Sequence, residues 1–256
     1  MDPRSIADRL IAAERDRTAI TPVTDAFPFL GVKQAYLAQG LVVQHRLARG
    51  ERLVGAKLGM TSRIMQQVVN INEPVYGWLT SGMVAPHGEP LPLDELIHPR
   101  AEPEIAFLLR DEPARPATVM SVLSVTEAVF AAIEVLDSRY EHYRYRLPDV
   151  IADNVGAARF VLGPRARKPG ELEDLRLVGC VLRSQGEVVG TGAGGAALGH
   201  PAAAVAWLVN ALAAQGRHLT PGSVVLSGGL TAPVPLLRGH ALSADFDGLG
   251  TVGVYG

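Results

Sequence analysis

A change of hydrophobic period along the chain is what most constrains its fold. In the first fifty residues, apolar side chains recur at three-and-four spacing: Ile6, Leu10 and Ile11, then Ala35, Tyr36, Val42, Val43 and Leu47. Such stripes predict two buried-face helices, separated at Pro28 and Gly31 and ended at Gly50. A short candidate strand, Arg52 to Gly59, follows. From about residue 80 the pattern becomes short apolar runs divided by turn residues. It predicts strands over Ser81–Val84, Ile105–Leu109, Ala131–Leu136, Arg159–Leu162, Leu175–Arg183, Val188–Gly190, Val224–Ser227, Ala241–Phe246 and Thr251–Tyr255. Ser184-Gln185-Gly186 reads as a hairpin connection. One helix, Ala202–Ala214, interrupts the series. Helices gathered at the N-terminus and strands thereafter indicate an α+β fold with a mostly β core, not an alternating α/β one.

Thr61 to Tyr76 mixes Gln66, Gln67, Asn70 and Asn72 with scattered apolar residues and reads as a mobile loop or lid. Residues 1–78 therefore form a helical N-terminal region with the strand of Lys57 and the lid. Residues 79–256 form a β-rich core, and the two make one functional unit.

Composition narrows the function classes. The chain has 48% hydrophobic and 20% charged residues, with a formal net charge of −2. No global field would draw it to nucleic acid or an anionic membrane. The most apolar stretch, Ala202–Ala214, is broken by Asn210 and is shorter than the ~18–20 residues of a membrane span. The N-terminus mixes Asp8, Arg9, Glu14, Arg15, Asp16 and Arg17 and holds no apolar signal core, so export is not expected. A single cysteine, Cys180, excludes an intramolecular disulfide and multi-thiol metal frameworks and suits a reducing cytoplasm.

Two motifs stand out. In Arg100-Ala101-Glu102-Pro103-Glu104-Ile105-Ala106-Phe107, two acids lie two residues apart at the head of an apolar strand, where period two puts them on one face. Like charges that close repel unless a cation or a shared proton intervenes; a solvated strand face is the alternative. Glu134, inside the apolar run Ala131–Leu136, is the second anomaly, because an acid there is seldom buried without a partner. Three carboxylates with no histidine pattern beside them make a hard oxygen site suited to Mg2+ or Mn2+. The seven histidines are dispersed. Lys57, a lone cation among Ala56, Leu58 and Gly59, either snorkels to the surface or faces the carboxylates.

Other segments resist a catalytic reading. Gly190-Thr191-Gly192-Ala193-Gly194-Gly195 matches G-x-G-x-x-G, but the helix starts only at about Pro201 and no Asp or Glu occurs between Glu187 and Asp245. Close backbone packing accounts for it better. Ser227-Gly228-Gly229 lacks the G-x-S-x-G of a nucleophile elbow. Cys180 is expected to be an inert core residue.

Several blocks together resemble the fumarylacetoacetate hydrolase fold, in its branch of 2-hydroxypentadienoate hydratases and 4-oxalocrotonate decarboxylases. They are Gly55 to Thr61, Arg100 to Phe107, Glu134-Val135-Leu136-Asp137-Ser138-Arg139-Tyr140, Leu147-Pro148-Asp149-Val150-Ile151-Ala152-Asp153-Asn154, Gly199-His200-Pro201, and Leu249-Gly250-Thr251-Val252. They run in order through almost the whole chain. The resemblance implies a metal-dependent oligomeric enzyme of aromatic-ring catabolism acting on small unsaturated 2-oxo acids. It implies Glu102, Glu104 and Glu134 as ligands of Mg2+ or Mn2+, Lys57 at the reacting end, and Arg139 or Asn154 orienting a substrate carboxylate.

Within the branch, the decarboxylases read most like this chain over Glu134–Tyr140, Tyr143, Tyr145 and Leu147–Asn154, which implies decarboxylation of 2-oxohex-3-enedioate. A complex with a hydratase partner is implied too. Hydratases tend to carry Asp-Phe-Gly where this chain has Val75-Tyr76-Gly77, so an acid that could assist water addition is missing. Relatives often place small hydroxyl residues after the Asp-Asn pair; here Val155-Gly156-Ala157 follows. A hydratase is the nearest alternative, a non-catalytic partner subunit the next, and carbon–carbon hydrolysis the last, since no Glu–His pair for activating water is evident.

Overall fold

A computed structural model describes residues 2–62, 66 and 73–256. Most of the expected lid, Ile64 included, lies outside them.

The helical stripes of the first fifty residues become α1 (Pro3–Asp16) and α3 (Val32–Ala48), with a single turn, α2 (Val23–Ala26), between them. Asp2 caps α1 by accepting from the Arg4 N–H, and Pro3 occupies the first turn, where its missing N–H is not needed. Ile6, Leu10, Ala35, Ala38 and Val42 meet Ile151 and Val155 in one apolar cluster. The helical layer therefore packs against the segment that precedes β5.

The strands form two sheets. The larger runs in the order β2 (Val75–Thr80), β1 (Leu53–Gly59), β8 (Val224–Leu226), β3 (Arg100–Leu109), β4 (Thr126–Leu136) and β5 (Ala157–Leu162), with the short β9 (Val234–Pro235) also on β3. Only the β1–β8 pair in it is parallel. The smaller runs β11 (Gly250–Tyr255), β10 (Ala241–Phe246), β6 (Gly179–Ser184) and β7 (Glu187–Ala193), all antiparallel. Gln185 and Gly186, both at positive φ, make the expected hairpin.

Alternation divides the faces of the large sheet. Ile105, Phe107, Val129, Ala131, Ile133 and Val135 face the main core, with the small sheet and the helix Pro201–Ala213. The intervening residues of β3 and β4 face the other way, beside Leu79, Phe160 and Leu226. That helix is 13 residues long. The stretch Gly194–Ala213 has the length and apolarity of a membrane span, yet half of it is buried in the core.

Several strand expectations shift. Ser81–Met83 is a 3-10 turn, and the strand lies just before it as β2. Every residue of β2 is buried, so the alternation that marks a half-exposed strand is absent. The strand expected from Leu175 starts at Gly179, and β4 begins five residues earlier than its apolar run suggested. Two short helices carried too little periodicity to be predicted: α4 (Val119–Val125) and α5 (Leu147–Ala152). The helix Pro201–Ala213 is α6.

Candidate metal centre

Three carboxylates converge because three sheet rules coincide. Glu102 and Glu104 project from one face of β3, and antiparallel pairing sets Glu102 directly opposite Glu134 on β4. One oxygen from each of the three lies within 4.8 Å of the others. Glu104 and Glu134 are fully buried; Glu102 is partly covered. Among the described residues no other group of three His, Cys, Asp or Glu side chains converges in this way.

Lys57 is the fourth member. It alternates with Ala56 and Leu58, which face the main core, so its side chain leaves β1 on the carboxylate face. Only 1% exposed, it does not snorkel. Nζ lies 2.9 Å from Glu134 Oε2 and donates to the Val155 carbonyl at 3.3 Å.

Burial and neighbouring charge shift the protonation of Glu102, Glu104 and Lys57. Burial pushes the Glu102 carboxyl up to about 7, with the Lys57 charge opposing and the Glu134 charge adding. Glu104 is driven well above the ordinary carboxylate range by burial first, then by the charges of Glu134 and Glu102. For Lys57, burial acts to lower its value, but the carboxylates, Glu134 foremost, outweigh it and hold the ammonium above the usual lysine range.

A glycine turn completes the cradle. The Gly228 N–H donates to Glu104 Oε2 at 2.5 Å. Gly228 has φ +105°, and a Cβ there would stand 2.0 Å from Thr61 Oγ1; one on Gly229 would stand 2.3 Å from Glu102 Oε2. Both positions must lack a side chain for the turn to lie on the carboxylates. Sequence reading rejected Ser227-Gly228-Gly229 as a nucleophile elbow and so missed this supporting role; adjacent glycines after an apolar strand were the available signal.

The donor set suits a hard divalent cation. Glu104 Oε1 and Glu134 Oε1 accept no hydrogen bond from any described residue outside the carboxylate cluster. Buried carboxylate oxygens left so are costly, and three carboxylates against one ammonium leave an excess of negative charge. Oxygen-only ligation matches Mg2+ or Mn2+.

Arg139 and Asn154, expected to orient a substrate carboxylate, are occupied otherwise. The Arg139 guanidinium, almost wholly buried, donates through Nε to the Asp153 carboxylate, through Nη2 to the Asp153 carbonyl and through Nη1 to the Asp137 carbonyl at 2.8 Å. The Asn154 amide donates to the Trp78 carbonyl at 2.9 Å and accepts from the Trp78 N–H at 2.8 Å. The Asn154–Trp78 pairing joins residues 76 apart in the chain, and no spacing rule connects them. The Gly190–Gly195 segment packs backbone on backbone as expected: a Cβ on Gly192 would lie 2.2 Å from the Leu230 carbonyl oxygen.

Comparison with known proteins adds a family to this geometry. Residues 49–254 match the Fumarylacetoacetate (FAA) hydrolase C-terminal family. The chain is 37% identical over 249 residues to a 4-oxalocrotonate decarboxylase of Pseudomonas sp. (strain CF600), covering 97% of this chain and 94% of that one. It is 39% identical over 251 residues to a 2-keto-4-pentenoate hydratase of Burkholderia vietnamiensis (strain G4 / LMG 22486), covering 97% and 95%. Among solved structures, 4-oxalocrotonate decarboxylase from Pseudomonas putida G7, complexed with magnesium and adipate, superposes with a TM-score of 0.95 at 35% identity, covering 99% of this chain and 96% of that one. Both activities are those of lyases, and identity does not separate them. On the family match, the near-full-length relatives and the shared fold, the chain belongs to the fumarylacetoacetate hydrolase family.

Proposed function

We propose that this protein is a carboxy-lyase that converts 2-oxohex-3-enedioate (4-oxalocrotonate) to 2-hydroxypenta-2,4-dienoate and CO2, with Mg2+ or Mn2+ held by Glu102, Glu104 and Glu134. When bound, the cation supplies a Lewis acid that polarises the 2-oxo group. The observation that carries the reading is the buried Lys57–Glu134 pair inside a triad whose Glu104 Oε1 and Glu134 Oε1 accept no hydrogen bond from any described residue outside the cluster. Lys57 keeps its proton there and holds positive charge where negative charge grows as the bond to CO2 breaks.

What flanks Lys57 favours decarboxylation over hydration. A Cβ built on Gly59 would lie 3.2 Å from Val75 Cγ2, 2.6 Å from Val155 Cγ1 and 3.9 Å from Lys57 Nζ. Val75, where the resembling hydratases carry an acid, and Val155 thus put apolar side chains at the Gly59 end of the Lys57 site. An apolar wall keeps water from the departing carboxylate and offers no base to activate it. Hydratases are equally close relatives, so the test supplies both substrates. With Mg2+, the purified protein should release CO2 from 2-oxohex-3-enedioate at a kcat/KM at least about a hundredfold above that for hydration of 2-hydroxypenta-2,4-dienoate. Formation of 4-hydroxy-2-oxovalerate as the faster reaction would reverse the assignment.

The dienol product is the substrate type of the hydratase relatives. The same reading therefore includes handover to a hydratase partner, checked by co-purification of the two proteins.

A further inference from the structure

We propose that Asn154 is a positioning residue for Lys57, acting through the left-handed turn Asn154-Val155-Gly156 and not through contact with substrate. The inference rests on the reading of Lys57 as the group at the reacting end.

The turn is strained. Asn154, Val155 and Gly156 follow one another at φ +50°, +55° and +69°. Asparagine and glycine tolerate that region, but a β-branched valine there is an outlier, a conformation that persists only where the surroundings over-determine it. Here two contacts hold it. The Asn154 amide pairs in both directions with the Trp78 main chain, and the Gly156 carbonyl accepts from the Asp137 N–H at 2.8 Å. All three residues are buried.

What the turn delivers is the Val155 carbonyl. Among the described residues it is, with Glu134 Oε2, one of two acceptors for the Lys57 ammonium, so Nζ is held between the carboxylate cluster and the turn. The strands are cut to seat this arrangement. Gly77 stands opposite Lys57 in the β1–β2 ladder, and a Cβ on it would lie 2.5 Å from the Asn154 carbonyl oxygen. Gly59, two residues beyond Lys57, makes room for Val155 Cγ1 in the same way. A turn that merely linked α5 to β5 would need neither glycine, nor a side-chain clamp on β2.

Two variants test this from opposite sides of the contact. Asn154→Gly keeps a residue at ease with positive φ while deleting the amide clamp; Gly77→Ala leaves Asn154 intact and pushes the turn off β2. The chain has three lysines, Lys33, Lys57 and Lys168, so the 13Cε resonance of Lys57 is assigned in 13C-lysine-labelled protein by its loss in Lys57→Met. In both variants, with Mg2+ present, that resonance should move. Mg2+ affinity by calorimetry and KM should stay at wild-type values, and kcat should fall about tenfold to a hundredfold, the scale of a small misplacement of a reacting group. If Asn154→Gly does not fold, Gly77→Ala carries the test. An active wild type whose folded variants keep its kcat overturns the proposal, as does loss of Mg2+ binding, which would tie the turn to the carboxylates. A wild type that releases no CO2, yet whose Lys57 resonance moves in the variants, retains the positioning and rejects the decarboxylase reading.

Discussion

Glu102, Glu104, Glu134 and Lys57 share a largely buried volume, and the charges of their neighbours act on Glu102, Glu104 and Lys57. Replacing Glu104 by Gln keeps an acceptor for the Gly228 N–H and removes one ligand. The variant should fold with a Tm, in the absence of cation, no lower than that of the wild type. It should lose both the cation-induced rise in Tm and turnover; retention of either in Glu104→Gln would remove Glu104 from the ligand set. The raised carboxyls give a pH dependence of definite sign. Glu102 titrates near 7, above the 4.5 of an ordinary glutamate, so the folded, cation-free protein binds more protons than the unfolded chain between those values. That group's contribution to stability is present below about 4.5 and is lost as pH rises through 7. A cation must displace the proton. Its apparent affinity should therefore fall as pH drops below 7, with proton uptake by buffer on binding, measurable by calorimetry in two buffers of different ionisation enthalpy; pH-independent affinity between about 6 and 8, values about 1 unit either side of that titration, would contradict it. Residue types and period made the carboxylates legible in sequence. The surface alternative for Lys57 was open because a lone lysine in a strand says nothing of what faces it.

At the scale of elements, the site depends on β1 reaching the carboxylate strands through β8. Gly55 pairs with Val224 across the parallel β1–β8 contact, and a Cβ on it would lie 1.7 Å from the Val224 carbonyl oxygen. Gly55→Ala should cost about 3 kcal/mol, which lowers Tm by about 6–12 °C in a chain of this size, read by calorimetry. An unchanged Tm would mean that β8 yields without loss. The strands announced themselves as short apolar runs between turn residues, and the long helices by their stripes. β2 did not; its six buried residues merged with the polar segment before them. Cross-strand register, which puts Glu102 opposite Glu134 and Gly77 opposite Lys57, has no signature within any one segment. The resemblance supplied what periodicity could not, an ordered set of blocks whose joint presence implied one site. It did not foresee that Arg139 and Asn154 would be spent on Asp153 and Trp78.

For the whole molecule, a net charge of −2 is an average over an uneven distribution. No acid occurs between Glu187 and Asp245, while three crowd one face of the large sheet beside a single lysine. An assembly of two sheets and a helical layer that buries like charges in this way calls for a counter-charge, and the account makes that counter-charge part of the reaction. The direct test is CO2 release from 2-oxohex-3-enedioate by the purified protein, first stripped with a chelator and then resupplied with Mg2+. The account predicts that release stops on stripping and returns with Mg2+ or Mn2+. Release that continues at the original rate in the stripped protein would contradict it.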